Sequence, residues 1–213
     1  MQGKTGNTFC LFNTITAMII YFDTETTGLY PGQICQLSYV MQSKHGTSSR
    51  NLFFTVDYVE YGALQVHGFS VEKLKSLSGG KRFSDFSEEI ARDFASADLI
   101  ISHNTAFDFS FMRAEFERLG QVFYTNESFC SMKNMTAVCK LPRKSGVGYK
   151  YPKLSELCKY LDISDSEIKL TAKKLFGESA DYHDARFDTT AVYLAVNAGM
   201  KKECVMQRLE EYL

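Results

Sequence analysis

The sequence lacks the features that define several common classes of protein. Its 213 residues include only three prolines and contain neither long Ser/Pro-rich linkers nor internal repeats, which predicts one domain with at most a short appendage. The 24 basic and 25 acidic residues leave a formal net charge of −1. This balance excludes a protein that coats nucleic acid by neutralising many phosphates, and it gives no general attraction to anionic membranes.

The sequence also lacks a long apolar run and any paired cysteine motif. The nearest candidate for a signal peptide, CLFNTITAMIIYF at 10–22, is interrupted by Asn13 and threonines and has no small-residue cleavage site. The cysteines occur without CxxC and without zinc-type pairing with histidine, which indicates reduced thiols, mostly in the core. We therefore expect a soluble cytoplasmic protein with no membrane partner. The six cysteines are Cys10, Cys35, Cys130, Cys139, Cys158 and Cys204.

Apolar residues make up 45% of the chain, enough for one sizeable core. Residues 1–17 are rich in Gly, Thr and Asn and show no period, so they are predicted to be a disordered extension, with Met18 as an alternative start. The main domain is expected at 18–200. Residues 201–213 have the pattern of a short amphipathic helix that packs on or trails this domain.

Four segments have the apolar or alternating pattern of β-strands. A hairpin turn containing Gly46 is expected at 44–49, between the second and third of them. Three successive strands followed by helix, strand and helix predict an α/β or α+β fold, with helices packed on a mixed sheet. The four segments are 18–22, 33–43, 50–56 and 98–102.

Helical spacing of apolar residues appears in four further places. Ser84 is the expected N-cap of the first helix, Gly120 follows the second, and Gly199 is the expected C-terminal stop of the last. The four apolar stripes lie at 83–94, 109–119, 153–163 and 185–199.

Two carboxylates follow the first predicted strand closely, in the segment FDTETTGL. Asp23 and Glu25 are two residues apart, so on a strand their side chains point to the same face. Two carboxylates that close repel each other unless a cation lies between them, and oxygen ligands of this kind suit Mg²⁺ or Mn²⁺. The alternative is a strand whose acidic end is simply hydrated.

Two further segments add acidic residues at element boundaries. Asp108 lies near the start of the helix that follows the 98–102 strand, where an acid is also favoured by the helix dipole. His183 and Asp188 are five residues apart and would diverge by roughly 140° on a regular helix. Both can face one site only if His183 lies in the loop before the helix, with Asp184 or Asp181 as its N-cap.

Together these four acids and one histidine favour a single site at strand ends and helix starts. Four carboxylates are enough to hold two divalent ions about 3.5–4 Å apart, as in enzymes that catalyse in-line displacement of a leaving group at a phosphorus atom.

The segments FDTETTGL, SHNTAFDFSFM and HDARFDTT resemble the three motifs of the DEDD exonuclease superfamily, in order and in type. The resemblance extends from Met18 to Asn197. The last motif has the HxAxxD form of the DEDDh branch; the tyrosine branch would require Tyr where this chain has Asp184. The resemblance implies a ribonuclease H-like fold, with a mixed five-stranded sheet flanked by helices.

The resemblance also implies a mechanism. Two Mg²⁺ ions, for which Mn²⁺ can substitute, would be held by the four acids, and His183 would be the general base, swinging in from a mobile loop. The acids are Asp23, Glu25, Asp108 and Asp188.

Four other residues match substrate-binding positions of the family. The turn residues Thr26, Gly28 and Leu29 would contact the terminal nucleotide, with Leu29 packed on its base. His67, in VHGFS, would contact the terminal sugar or phosphate; its alternative is an exposed loop residue with no role.

A basic region without acidic residues runs from Ser128 to Ser155. Within it, the glycine-containing loop at 140–153 combines lysines and an arginine with Tyr149 and Tyr151, a composition that can follow a single strand and stack its bases. A solvated, flexible loop is the alternative.

The leading interpretation is a metal-dependent 3′→5′ exonuclease that shortens single-stranded or frayed DNA and releases nucleoside 5′-monophosphates. One alternative is an exoribonuclease that trims RNA 3′ ends. The other is a non-catalytic nucleic-acid-binding subunit of a DNA polymerase, and a polymerase is a possible partner in either case.

Overall fold

The computed structural model describes residues 17–201, and the predictions for 1–16 and 202–213 lie outside them. Its centre is one five-stranded sheet in the order β3-β2-β1-β4-β5. The strands are β1 (Met18–Thr26), β2 (Ile34–Ser43), β3 (Gly46–Phe53), β4 (Leu99–Ser102) and β5 (Glu127–Cys130).

Helices cover both faces of this sheet, which confirms the predicted mixed sheet flanked by helices. Within residues 17–201 no helix is both long and apolar enough to cross a membrane. The helices are α1 (Tyr61–His67), α2 (Val71–Ser78), α3 (Ser87–Ser96), α4 (Thr105–Arg118), α5 (Ser131–Cys139), α6 (Leu154–Tyr160), α7 (Asp165–Phe176) and α8 (Ala185–Lys201).

Strand β1 occupies the middle of the sheet, antiparallel to β2 and parallel to β4. Its alternating side chains enter two different cores. Ile19 and Tyr21 pack with α5 to α8, whereas Ile20 and Phe22 pack with α3 and α4. The strand therefore continues past the predicted end at residue 22, because pairing with β2 carries its polar residues as far as Thr26.

Two predicted boundaries are wrong, one at the turn between β2 and β3 and one at the start of α3. The hairpin between β2 and β3 is shorter than 44–49, because Ser43 already pairs with Gly46 and only two residues connect the strands. Ser84 is not a helix N-cap. It lies inside a 3-10 turn over Phe83–Asp85, and α3 begins only at Ser87.

The predicted stop at Gly199 is also wrong, because α8 continues through it to Lys201. A glycine ends a helix where it takes the left-handed conformation. Gly120 does so after α4, with φ of 67°, whereas Gly199 keeps helical geometry and is buried.

Several elements escaped sequence analysis because they offer little hydrophobic pattern. Strand β5 lies at the edge of the sheet and begins with exposed Glu127 and Ser128. Helix α7 is 12 residues long, but only Ile168 and Ala172 in it are buried. Helix α1 is seven residues long, and its one buried residue is a histidine.

Phe94 tests the core between the sheet and α3. It is fully buried, and its ring packs against Phe22, Tyr39 and Phe123. We expect Phe94→Ala to lower the free energy of unfolding by about 3–5 kcal/mol, since it leaves a cavity where the rings met. Equilibrium urea unfolding measures this loss.

The matched control is Leu77→Ala, a truncation on α2 at a side chain that is 47% exposed. It should cost less than about 1 kcal/mol. Equal losses from the two substitutions would contradict the packing described for Phe94.

Candidate active site

Three carboxylates meet at the end of β1. Asp23 and Glu25 project from the α8 face of the strand, the same face as Ile19 and Tyr21, because side chains alternate. Asp188, in the first turn of α8, approaches from that face. One oxygen from each of the three carboxylates lies within 4.8 Å of the others, an arrangement that can hold a metal ion.

Asp108 lies beside this group, in the first turn of α4. It is 2% exposed, and its Oδ1 accepts a hydrogen bond of 2.8 Å from Thr24 Oγ1. Thr24 points to the α4 face of β1, opposite to its neighbours Asp23 and Glu25. Strand β1 thus supplies two of the acids, Asp23 and Glu25, from one face. From the opposite face, Thr24 orients Asp108.

Burial raises the pKa values of all four acids, and repulsion by neighbouring carboxylates adds to the effect at Asp23, Glu25 and Asp188. Burial, followed by the charge of Asp108, raises the pKa of Asp23 well above its usual value. Burial, followed by the charge of Asp188, does the same for Glu25. The pKa values of Asp108 and Asp188 rise to about 7, mainly through burial.

These four acids fit a site for divalent cations. A buried group of carboxylates costs free energy unless a cation or protons offset the charge. Ligands that are all oxygen suit Mg²⁺ and Mn²⁺ rather than zinc. The structure groups Asp23, Glu25 and Asp188 most closely, with Asp108 adjacent.

His183 occupies the turn immediately before α8, as the spacing of His183 and Asp188 predicts. Its side chain is exposed, and its backbone is left-handed with φ of 59°. The helix begins at Ala185, and the Asp184 carboxylate accepts a hydrogen bond of 3.0 Å from the backbone N–H of Arg186. Asp184 is therefore the N-cap of α8, one of the two expected residues.

Gln36 supports the start of α8 and escaped sequence analysis. It is fully buried in β2 and pairs with Glu25 across the sheet. Its amide donates to Asp184 Oδ1 over 2.9 Å, and its carbonyl accepts from the N–H of Ala185 over 3.1 Å. No local signal in the sequence marked this role, because β2 also contains Ser38 and Gln42. Gln36 joins β2 to the His183 turn.

A cavity of about 390 Å³ opens beside the acids, between the β1–β2 turn and α1. Its wall includes Leu29, which is 79% exposed, and Phe107 from α4. Gly28 lies at its rim, where a Cβ would meet the Glu60 carboxylate and displace that side chain. The cavity thus combines an apolar wall with the predicted nucleotide-binding turn.

His67 is buried at the end of α1, which excludes the exposed-loop alternative. Its Nδ1 accepts from the backbone N–H of Phe69 over 3.0 Å, so Nε2 carries the proton and donates to the Thr26 carbonyl over 3.2 Å. Burial lowers its pKa. His67 lines the cavity and also holds Thr26, whose hydroxyl donates to the Gly28 carbonyl over 2.8 Å.

The basic segment 140–153 forms a hairpin. Pro142 pairs with Tyr149, and the N–H of Lys150 donates to the Leu141 carbonyl over 2.9 Å. At its base, His103 donates from Nε2 to the Pro152 carbonyl over 3.0 Å. Because His103 directly follows β4, the hairpin is fixed near the end of the sheet that carries the acids.

The model of the Exonuclease family matches residues 20–196, which include all four acids and His183. The chain therefore belongs to this family. It is 30% identical to the epsilon subunit of DNA polymerase III from Escherichia coli K12, over 87% of this chain and 73% of that protein. It is 28% identical to the epsilon subunit from Rickettsia conorii, over 71% of this chain and 65% of that protein.

Solved structures of exonuclease I share the fold, which is ribonuclease H-like. A product-bound form superimposes with a TM-score of 0.70 at 17% identity, over 92% of this chain and 46% of that protein. The Escherichia coli enzyme in complex with a dA16 oligonucleotide gives 0.67 at 18% identity, over 92% and 42%. The chain thus spans less than half of exonuclease I and 65% of the Rickettsia conorii relative.

The raised pKa values predict how pH affects the metal-free protein. Asp108 and Asp188 have folded-state pKa values of about 7, against an ordinary 3.8. The folded state binds these two protons more tightly than the unfolded state does. Their contribution to stability is therefore complete below the ordinary pKa of about 4 and is lost as the pH rises through the folded-state pKa of about 7. In EDTA, Asp108→Asn should therefore become progressively more stable than the wild type between those values.

Thermal melting across this pH range measures the difference in Tm between variant and wild type. Glu117→Gln, an exposed acid on the same helix, is the control and should show no such trend. Mg²⁺ should raise the wild-type Tm most at neutral pH, where the carboxylates are charged. A pH-independent difference for Asp108→Asn would contradict the assigned shift.

Proposed function

We propose that this protein is a metal-dependent 3′→5′ exonuclease that removes nucleoside 5′-monophosphates from single-stranded or frayed DNA. The observation that carries the proposal is the convergence of Asp23, Glu25 and Asp188 beside Asp108 in a member of the Exonuclease family. The proposed exonuclease domain is 18–200.

In this proposal the four acids hold two Mg²⁺ ions, which Mn²⁺ can replace. Two such ions, when bound, supply an activated water and stabilise the charge on the phosphate and on the leaving 3′-oxygen. The four carboxylates come from three elements, β1, α4 and α8. The packing of these elements fixes the positions of the oxygen ligands relative to one another.

His183 takes the proton from the attacking water as general base. A neutral imidazole nitrogen can accept a proton from water, which suits this role. The side chain of His183 is exposed. Burial is the main cause of the lowered pKa of His67, and a smaller electrostatic contribution from His183 indicates that the two histidines lie within range of each other.

The cavity beside Leu29 and Phe107 receives the terminal nucleotide. Its apolar wall can stack a base, and the Thr26–Leu29 turn can approach the sugar and phosphate because Gly28 has no side chain. His67 contributes by holding the carbonyl of Thr26, and its ring forms part of the wall next to the terminal sugar.

The relatives favour DNA and a link with a polymerase. The matched proteins are epsilon subunits of DNA polymerase III, and the structural neighbours include exonuclease I bound to DNA oligonucleotides. We therefore place this protein in DNA replication or repair, in the cytoplasm, where free thiols such as buried Cys35 and Cys158 stay reduced. Cleavage of RNA is the alternative outcome of the experiment below.

The test uses 5′-labelled single-stranded DNA and RNA of the same sequence with Mg²⁺, with and without EDTA. We expect a ladder that shortens from the 3′ end of DNA and disappears in EDTA. Asp188→Asn and His183→Ala should each lower the rate by roughly 10²-fold or more, since they remove a metal ligand and the general base.

The controls are Glu117→Gln and His45→Ala, both exposed residues outside the site. They should keep the wild-type rate. Binding of the oligonucleotide without cleavage would favour the non-catalytic accessory subunit, and a ladder on RNA alone would favour an exoribonuclease. Activity that survives EDTA would overturn the two-metal proposal.

The basic hairpin is proposed to bind the strand upstream of the cleaved nucleotide. Lys144 and Lys153 are exposed, whereas Lys150 is paired with Glu156 at 2.6 Å. We expect Lys144→Gln and Lys153→Gln to weaken binding of single-stranded DNA, each reducing the slope of log K against log salt by about 0.7. Lys150→Gln should have a smaller effect.

Fluorescence anisotropy at several salt concentrations measures these slopes. Lys75→Gln on α2 is the control for loss of a positive charge. If the slopes measured for Lys144→Gln and Lys153→Gln equal the slope for Lys75→Gln, the hairpin is a solvated surface and does not bind the strand.

A further inference from the structure

We propose that Tyr182, through its hydrogen bond to Asp165 on α7, is a positioning residue that fixes the backbone of His183 for catalysis. The inference rests on the proposed function of His183 as general base. It concerns the turn at 181–184, which joins α7 to α8, and assigns a role to α7 that sequence analysis did not provide.

The backbone of His183 requires such support. Its φ of 59° lies in the left-handed region, which costs a residue with a side chain about 1 kcal/mol or more. A conformation of this kind persists only where surrounding contacts hold it. The side chain of His183 is exposed, so the support has to come from the neighbours of His183 along the chain.

Contacts on the N-terminal side of His183 lead to α7. The hydroxyl of Tyr182 donates to Asp165 Oδ1 over 2.7 Å, and this bond raises the pKa of Tyr182 to about 12. The Tyr182 ring packs against Phe187 with centroids 4.5 Å apart. One residue earlier, Asp181 accepts from Lys169 of α7 over 3.0 Å. Two consecutive residues are therefore tied to one helix.

Contacts on the C-terminal side reach β2 as well as the turn itself. Asp184 is held by Gln36 of β2, and its N–H donates to the Asp181 carbonyl over 3.1 Å. His183 thus lies between two neighbours that are anchored by side-chain hydrogen bonds. In this proposal the backbone of the turn is held, and the imidazole reaches the site by side-chain rotation.

A purely structural role for Tyr182 would make a different prediction. If the bond to Asp165 only docks α7, its loss would lower stability and leave turnover unchanged. If the bond fixes His183, its loss should lower kcat while KM for the oligonucleotide stays constant, because the substrate cavity beside Leu29 is formed by other elements.

The experiment compares Tyr182→Phe, Asp165→Ala and the double variant, in the full chain with Mg²⁺ and single-stranded DNA. Tyr182→Phe keeps the ring on Phe187 and removes only the hydroxyl. We expect kcat to fall roughly tenfold in each single variant, with KM within about twofold. The double variant should be no worse than either, since both remove the same bond.

Asp165→Asn, which keeps an acceptor oxygen, should recover most of the lost kcat. Tyr160→Phe, at an exposed tyrosine at the end of α6, is the matched control and should keep the wild-type kcat. The inference would be overturned if Tyr182→Phe kept the wild-type kcat. It would also be overturned if the fold-loss of kcat in the double variant equalled the product of the losses in the two single variants.

His183→Ala, assayed alongside, separates the two proposals. If it keeps the wild-type kcat, the assignment of the general base has failed. If it loses activity while Tyr182→Phe does not, only the positioning role of Tyr182 has failed.

Discussion

The crowding of four carboxylates, two of them buried and two half-buried, is the constraint on which the rest of the site depends. Burial raises the pKa values of Asp23, Glu25, Asp108 and Asp188, two of them to about 7, and neighbouring carboxylates add to the rise at all but Asp108. A fold can retain such a group only if its elements are rigid enough to resist separation and if a cation or protons offset the charge. The sheet supplies the first condition, and the oxygen ligands suit a divalent cation for the second.

Strand β1 provides the rigidity because both of its faces are packed. Ile19 and Tyr21 are buried under α8, and Ile20 and Phe22 under α4, so these two helices approach the strand from opposite sides. Each helix then delivers an acid from its first turn. The sheet register shifts between Glu25 and Thr26, where regular pairing with β2 ends and the turn that forms the cavity begins. The acids and the nucleotide-binding turn are therefore consecutive parts of one element.

Sequence reasoning was most successful where a pattern reflects a local rule. Spacing of two on a strand placed Asp23 and Glu25 together. A site shared by His183 and Asp188 required a loop at His183 with Asp184 or Asp181 as the N-cap, and the structure contains that loop with Asp184 as the cap. It was less successful at boundaries: Gly199 remains helical, and Ser84 caps no helix. It missed β5 and α7, because an edge strand and a surface helix bury few side chains and so leave little periodicity.

By itself, the sequence determined the mixed-sheet class and the candidate acids, because hydrophobic periods and residue spacings are local. The resemblance of three short motifs to a known family implied the ribonuclease H-like sheet. Only the tertiary structure decided how the site is supported. Gln36 lies 148 residues before Asp184, and Thr24 lies 84 residues before Asp108, yet each pair is joined by a hydrogen bond. Contacts of that kind arise when strands and helices pack, and no local spacing in the chain records which polar side chains will meet. The same reason explains why Tyr182 and Asp165, ordinary residues in the sequence, meet beside His183 in the folded protein.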